Sequence, residues 1–553
     1  MSSSTDTRSS RFDPTGAWRP HTGEGWRAAR LNHPNPLWGS NGVAFGPDGR
    51  LYVAQFLAGR ISALDPATGD VETVVGPGSP VQAPDDLAFG ADGAMYIADL
   101  TPGRVWRRDP AGSYTLVSDA VAQPNGITCV GDRLFVNEMR VEGRLVELFP
   151  DGRDPVVLAD DLAFGNAMQR GPDGRLYYPH MLTGQVWRVH PDGGPPELFA
   201  DRVDEPVAVR FDRGGALVVL SRGPAGVLTR IDPDGGRRTT LATGVTGLDN
   251  AAFDAENRMF VSSYASGGLT EVRPDGRTRE VVPRGLNGPF GITVDLGGRV
   301  HAADHFSLTS APLPDPGTPA ASQPAWPDEA LTRRLIIFAH GVTAEGGLLH
   351  VTTRLGEVHT HDPAADTTRV RATGLREPVG IVAAPDGTLL VAEAGAGRVV
   401  RIHEGGGLTV LAEGLEHPVD VALDAAGRCL VSDDRTGAVL RLDEDGAATT
   451  VADGLGAPQG LVVDGDALYT VETAHRRLTA ISLTTGERRV VAERLPVGEP
   501  PGARRAEPAG PPGVVAPPPL FAGLALAPDG SLLLSANGEG TVLRLHRSDD
   551  CAD

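Results

Sequence analysis

An all-β chain of two tandem six-bladed β-propellers is predicted by three features of the sequence: a repeat, four strand signals within each copy, and the way the chain's ends fit a closed ring. Motifs of the "PNGI" and "PDG" type place copies at Asn41, Asp85, Asn125, Asn166, Val207 and Asp249, with steps of 44, 40, 41, 41 and 42 residues. A second series begins at Phe290, His340, Val379, Val419, Gln459 and Ala522, which makes twelve copies. Four strands in each period of roughly 40–45 residues are the pattern of a propeller blade.

The first copy shows each element in turn. "GVAF", "RLYVAQ", "ISALD" and "VETVV" have the length and β-branched content of strands, separated by "GPDG", "LAGR" and "PATG". Asp-Gly and Pro-Asp-Gly supply turn chemistry, because Pro fixes one dihedral and Gly accepts a positive φ. No long amphipathic helix is present. Twelve blades exceed the usual ring of about four to eight, so two rings of six are expected.

The last copy, "GLALAPDGSLLLSANGEGTVLRLHRS", holds three strands and needs a partner for its open edge. The segments "GWRAARLNHPN" near Trp26 and "TREVVPRGLNG" near Val281 read as outer strands. The simplest closure uses the first to complete blade six and the second to complete blade twelve, leaving no open edge. The domains expected on this basis are a disordered tail over 1–25, a first propeller over 26–277 and a second over 278–553. Pro-rich insertions near 308–334 and 496–519 are expected to be extended or disordered surface loops.

Composition excludes several classes. Forty percent hydrophobic and 22% charged residues describe a globular protein, and the apolar runs are too short to span a bilayer. A formal charge of −21 without a basic run argues against nucleic-acid partners. The N-terminus "MSSSTDTRSSRFDPTG" has no apolar signal-peptide core, and Cys129, Cys429 and Cys551 are too scattered for a disulfide framework or a zinc cluster. The expectation is a cytoplasmic protein with a small-molecule substrate, no membrane partner, and the second propeller as the place for any protein partner.

"PNGITCVGDRLFVNE" and "GPDGRLYVAQFLAGRISALDPATG" resemble the gluconolactonase/regucalcin (senescence marker protein) family of six-bladed propellers and the related NHL-type repeats. The resemblance covers nearly the whole chain twice. It implies a lactonase-like hydrolase whose divalent cation sits in the central channel, held by Glu, Asn and Asp side chains just before the innermost strands. The same blade also serves lyases, a cyclase and pure binding modules, so the fold is specified more sharply than the reaction.

The residue opening each innermost strand points into the channel mouth. In the first ring five of the six, Asn41, Asp85, Asn125, Asn166 and Asp249, carry an oxygen ligand; Val207 is the exception. Hard cations such as Ca²⁺, Mg²⁺ or Mn²⁺ prefer such oxygens. Asn and Asp before Gly are also ordinary turn residues. The second ring needs the same turns, yet its mouth reads Phe290, His340, Val379, Val419, Gln459 and Ala522 and is the poorer metal site. The expected ligands are Asp85, Asn125, Asn166 and Asp249, with Asn41 available to substrate. The lactonase order of acid, Asn and Asp around the ring is not reproduced residue by residue, and a metal-free polar pocket is the competing reading.

A second position, at the end of the next strand, reads Gln55, Asp99, Glu138, His180, Ser221 and Ser263 in the first ring. An acid is usual there, and it caps loop amides. His180, in "RLYYPHMLTG", breaks that rule and is a candidate general acid/base beside Glu138 and Asp99. The competing reading is a histidine hydrogen-bonded into the blade rim. Ser221, His180 and Glu138 have the residue types of a triad, but "LSRGP" lacks a nucleophile elbow. Gln55, Ser221, Arg222, Ser263 and Tyr264 are candidate substrate contacts, with Arg222 suited to a carboxylate or phosphate.

In the second ring, His301, His305, His340, His350, His359 and His361 crowd into blades seven and eight, which raises the alternative of a transition-metal site there. The leading expectation is a divalent-cation-assisted lactone or ester hydrolase in the first ring. The alternatives are a propeller lyase or cyclase using His180 as base, and a non-catalytic NHL-type binding protein.

Overall fold

The computed structural model describes residues 10–232, 236–314, 326–444, 446–500 and 519–548. They form two compact units: residues 37–284, and residues 10–36 with 285–500 and 519–548. Apart from two short 3₁₀ turns the described secondary structure is β, and no helix among the described residues is long and apolar enough to cross a membrane.

The first unit is a propeller of six four-stranded antiparallel sheets. Its innermost strands are Val43–Phe45, Pro84–Phe89, Pro124–Val130, Gln169–Arg170, Pro206–Phe211 and Leu248–Phe253, each beside the next and the last beside the first. Burial falls from the axis outward. Leu51–Gln55 is buried on both faces because blades stack against each other, whereas the outer strand Val71–Val75 is half exposed. Between the first two blades Tyr52, Ile61 and Val75 pack on Leu87, Met95 and Ile97. The Asp48-Gly49 turn matches its sequence signal: Gly49 has φ 80°, and Asp48 Oδ1 accepts from Arg50 N at 3.1 Å.

The second unit is also a six-bladed ring, with innermost strands Ile292–Val294, the C-terminal half of Thr332–Glu345, Pro378–Ala383, Pro418–Leu423, Pro458–Asp464 and Leu524–Leu526. Blades seven and eight are run together into one six-stranded sheet. Thr332–Glu345 causes the fusion: its beginning pairs with Arg299–Pro312, its end with Leu348–Thr353, and Phe338 between them has φ 55°.

Ring closure differs from the sequence expectation. Trp26–Arg30 completes the last blade by pairing with Thr541–Arg547, and Thr278–Val282 completes blade six by pairing with Leu269–Val272. The reason for the second pairing is local. Asp275 and Gly276 (φ 84°) make a tight turn that folds Thr278–Val282 straight back on its predecessor. The reason for the first is apolar burial, since Trp26 packs edge-on to Tyr469 within a core that contains Phe12, Trp18, Leu543 and Leu545. The first propeller therefore runs from 37 to 284 rather than 26 to 277, and the second is closed by the N-terminal segment.

The expectation of a disordered tail over 1–25 fails for residues 10–25. Ser10, Arg11 and Phe12 are buried, and the Arg11 guanidinium donates to the carbonyls of Asn537 at 2.8 Å and Gly538 at 3.2 Å, and to that of Asn287. His21–Thr22 adds a fifth strand to the blade of Pro458–Asp464. Residues 1–9 lie outside the described residues. Of the insertion near 308–334, both flanks are strand and Trp326 Nε1 donates to Pro312 O at 2.7 Å; residues 315–325 lie outside the described residues. So do 501–518 of the second insertion, and Cys551.

Candidate active site at the first propeller's mouth

The innermost strands approach so closely that glycine follows the mouth position at Gly42 and Gly126, and in five of the six blades of the second ring. A Cβ on Gly42 would stand 2.7 Å from Asp85 O and 2.3 Å from Asp86 Oδ1. Gly42 N donates to Asp85 O at 2.7 Å, so adjacent mouths are tied backbone to backbone. This geometry gathers Asn41, Asp85, Asn125, Asn166 and Asp249, all buried, at one end of the channel.

Asn41 Nδ2 reaches Asp85 Oδ1 at 3.5 Å, and Asp85 also accepts from the Asn125 amide. Asn125 Nδ2 and Asn166 Nδ2 lie on the sulfurs of Met139 (3.1 Å) and Met181 (3.4 Å). Asn166 Oδ1 accepts from Ala167 N at 2.6 Å, whereas the buried Asn125 Oδ1 has no hydrogen-bond partner. At the rim, Tyr264 OH meets Arg222 O at 3.5 Å, and Arg222 Nε donates to Glu205 at 3.3 Å.

Burial, with the charge of Asp86 beside it, pushes Asp85 up to about 7, partly offset by the hydrogen bond from Asn125. Burial and the charges of Asp85 and Asp86 hold Asp249 well above the usual carboxylate range, against the pull of Arg210 and Arg222. A folded-state pKa above the unfolded value gives stability that is complete at acid pH and is lost as pH rises through the folded value. Without added cations, the melting temperature therefore falls between pH 5 and pH 8, and Asp85→Asn removes Asp85's share, on the order of 2–4 kcal/mol. Calorimetry across that range checks it; an unchanged slope in Asp85→Asn contradicts it.

One layer below the mouth lies a network that sequence reasoning missed. Asp86 accepts from Leu87 N at 2.9 Å, Ile127 N at 3.3 Å and Asn250 Nδ2 at 3.1 Å, and faces the Arg210 guanidinium at 4.0 Å. Burial raises Asp86 to about 6 although Arg210 opposes it. The available signal was the replacement of the usual glycine by Asp86 in "PDDL" and by Asn250 in "LDNA". Beyond the network the channel opens into a cavity of about 240 Å³.

The second-position residues are mostly structural, which corrects their assignment as catalytic or substrate-binding groups. Asp99 accepts from the amides of Gln82 and Ala83 and from Trp106 Nε1. Glu138 accepts from Ala122 N and is bound by Arg144. Gln55 spans Trp38 N and Ser62 Oγ, and Ser263 Oγ donates to Thr246 O. Each side chain closes a loop over its blade.

No triad is assembled. His180 stacks on Trp187 with ring centroids 5.6 Å apart, its Nε2 and the Ser221 Oγ are buried without partners, and Glu138 is engaged by Arg144. Burial pushes His180 down to about 4, so its ring is neutral at physiological pH.

The second propeller's mouth is apolar, as its sequence indicated: Phe290, Val379, Ala394, Val419 and Phe521 form one cluster. Its histidines do not converge. His301 pairs with Asp295 and Ser310, His350 with Glu345 and Thr360, His359 with Glu357, and His340 with Pro519 O. Among the described residues no group of three His, Cys, Asp or Glu side chains is placed to hold a metal, so any cation at the first mouth depends on amide oxygens as well as carboxylates.

Residues 340–550 match the family described as SMP-30/Gluconolactonase/LRE-like region. No curated protein matches the chain. Among solved structures, a streptogramin B lyase is 18% identical over 50% of this chain and 95% of its own, with a TM-score of 0.38. A gluconolactonase from Xanthomonas campestris is 17% identical over 45% of this chain and 93% of its own, TM-score 0.37. A calcium-binding regucalcin from Agrobacterium tumefaciens is 19% identical over 44% and 86%, TM-score 0.35. The family match falls on the propeller with the apolar mouth. The similarity to the SMP-30/gluconolactonase/LRE-like family is thus carried by residues 340–550, most of the second propeller and less than half of the chain.

Proposed function

We propose that the chain is a hydrolase of lactones or related esters that works at the mouth of the first propeller with a divalent cation. The observation that carries this reading is the pairing of two buried carboxylates, Asp85 and Asp249, with Asn41, Asn125 and Asn166 in a single mouth, where Asn125 Oδ1 lacks a donor. The charge of Asp85 raises Asp249's affinity for protons, and a cation relieves that repulsion.

The donor set fits such an ion: Asp249, Asn125 Oδ1 and Asn166 would hold it, and hard oxygens suit Ca²⁺, Mg²⁺ or Mn²⁺. When bound, it supplies Lewis-acid polarisation of an ester carbonyl. Asp85, fixed by Asn41 and Asn125, takes a proton from water as the water adds to the carbonyl carbon. The C–O bond then breaks, and the proton passes to the leaving alkoxide to give a hydroxy acid. Arg222 and Tyr264 at the rim bind the polar edge of the substrate.

Mass spectrometry of protein purified without added metal tests the cation: wild type retains about one equivalent, and Asp249→Asn/Asn125→Ala loses it. On a panel of lactones followed by proton release, Asp85→Asn lowers kcat by about 10²–10⁴-fold, whereas His180→Phe retains activity. No hydrolysis of any lactone or ester with Ca²⁺, Mg²⁺ or Mn²⁺ supplied overturns the reading in favour of an elimination enzyme or a binding protein.

A further inference from the structure

Asp420 of the second propeller repeats the position of Asp86 in the first. Each carboxylate follows a mouth residue, accepts from the next residue's amide (Leu87 N; Val421 N at 2.9 Å) and accepts from an amide of the next blade (Ile127 N; Leu461 N at 2.8 Å). What differs is the opposite wall. Arg210 stands three blades on from Asp86, three residues past Val207; three blades on from Asp420, three residues past Phe290, the chain has Thr293. The first ring brings its own cation to this carboxylate, and the second does not.

The missing guanidinium leaves room. Thr293 and Asp420 both line a cavity of about 330 Å³ whose other walls are Ile292, Val342, Ile381, Val421 and the backbone of the innermost strands. One end is closed by the apolar cluster of Phe290, Val379, Val419 and Phe521. Asp420 is 7% exposed, and its hydrogen bonds come from the backbone amides of Val421 and Leu461. Burial, set against those two amides, pushes it up to about 7.

We propose that this cavity is a binding site for a small organic cation, an ammonium or guanidinium head on an apolar body, whose charge meets Asp420 where Arg210 meets Asp86. The ion pair lies at the depth of Asp420 and the apolar body against the valine and isoleucine walls, which is the usual division of labour in a small-molecule site. The site does not rest on the hydrolase reading, because it lies in the other propeller.

Titration of the full chain with n-butylammonium and with n-butanol, followed by calorimetry, tests it. Wild type binds the cation about tenfold or more tightly than the alcohol, the effect of one charge-assisted contact. Asp420→Asn abolishes that preference, and so does Thr293→Arg, which supplies the first ring's guanidinium from within. The preference survives Asp85→Asn, which changes the other propeller's mouth. Equal affinity for the alcohol in wild type, a preference that persists in Thr293→Arg, or one that disappears in Asp85→Asn overturns the proposal. If Asp420→Asn does not fold, Thr293→Arg decides alone.

Discussion

A fragment of residues 37–284 folds and melts cooperatively on its own, whereas residues 285–553 alone do not reach a folded propeller. The first fragment contains every strand of its six sheets, from Val43–Phe45 to Thr278–Val282. The second lacks Trp26–Arg30, so the edge of Thr541–Arg547 is left unpaired along the five-residue register from Trp26↔Arg547 to Arg30↔Leu543. It also loses Phe12, Trp18 and Trp26 from the largest apolar cluster of that ring, and the Arg11 bonds to three carbonyls. At about 25 cal/mol per Å² and 150–250 Å² per aromatic side chain, those three rings alone amount to roughly 11–19 kcal/mol of burial, as large as the whole stability of a domain. Adding a peptide of residues 10–36 in trans restores the fold. Circular dichroism and thermal melting of the two fragments, with and without the peptide, check this. A cooperative melt of 285–553 alone would place closure in some other strand.

The same strands show where the sequence could be read and where it could not. Repeat spacing, Asp-Gly turns and short β-branched runs give the blades, because blade geometry is set within about forty residues. Closure of the second ring is not local. "WRAAR" and "TREVV" carry the same strand signal, and their surroundings distinguish them: the distant Tyr469 and Leu545 for Trp26, and the adjacent Pro274-Asp275-Gly276 turn for Thr278. The mouth residues were legible because one position per blade points to the axis, whereas the caps were legible only as a class. The acids that end the second strands close loops, and Glu138 does so as Glu393 does, each held by an arginine of the next strand. His180 stood out by breaking the pattern, yet its surroundings are Trp187 and Tyr178 rather than an acid. The Asp86–Asn250–Arg210 network was hidden for the same reason as closure: its members lie up to 164 residues apart and meet only across the channel.

Arg210→Ala tests that network, and it is expected to be the most damaging single substitution in the first propeller. The guanidinium donates to the carbonyls of Ala251 at 2.8 Å and of Met168 and Val209 at 2.9 Å, and to Asn250 Oδ1, so one side chain fastens three consecutive blades beside Asp86 in a fourth. Truncation leaves those carbonyls unpaired and Asp86 buried without a cation, a loss of about 3–5 kcal/mol. For a unit of this size that is roughly a 10 °C fall in melting temperature. The cost depends on pH with a definite sign. Removing the cation raises the folded-state pKa of Asp86 further above its unfolded value. Stability from this group, complete at low pH, then goes on being lost to a higher pH, so the deficit is smaller at pH 5 than at pH 8. Combining Arg210→Met with Asp86→Asn removes charge from both sides, and the double variant melts closer to wild type at pH 8 than Arg210→Met alone. Thermal melting of these variants and of Asp86→Asn alone at the two pH values is the measurement. A deficit equal at both pH values, or additive in the double variant, would mean that Arg210 acts only through its carbonyls and that the charge of Asp86 is supported by something else in the channel.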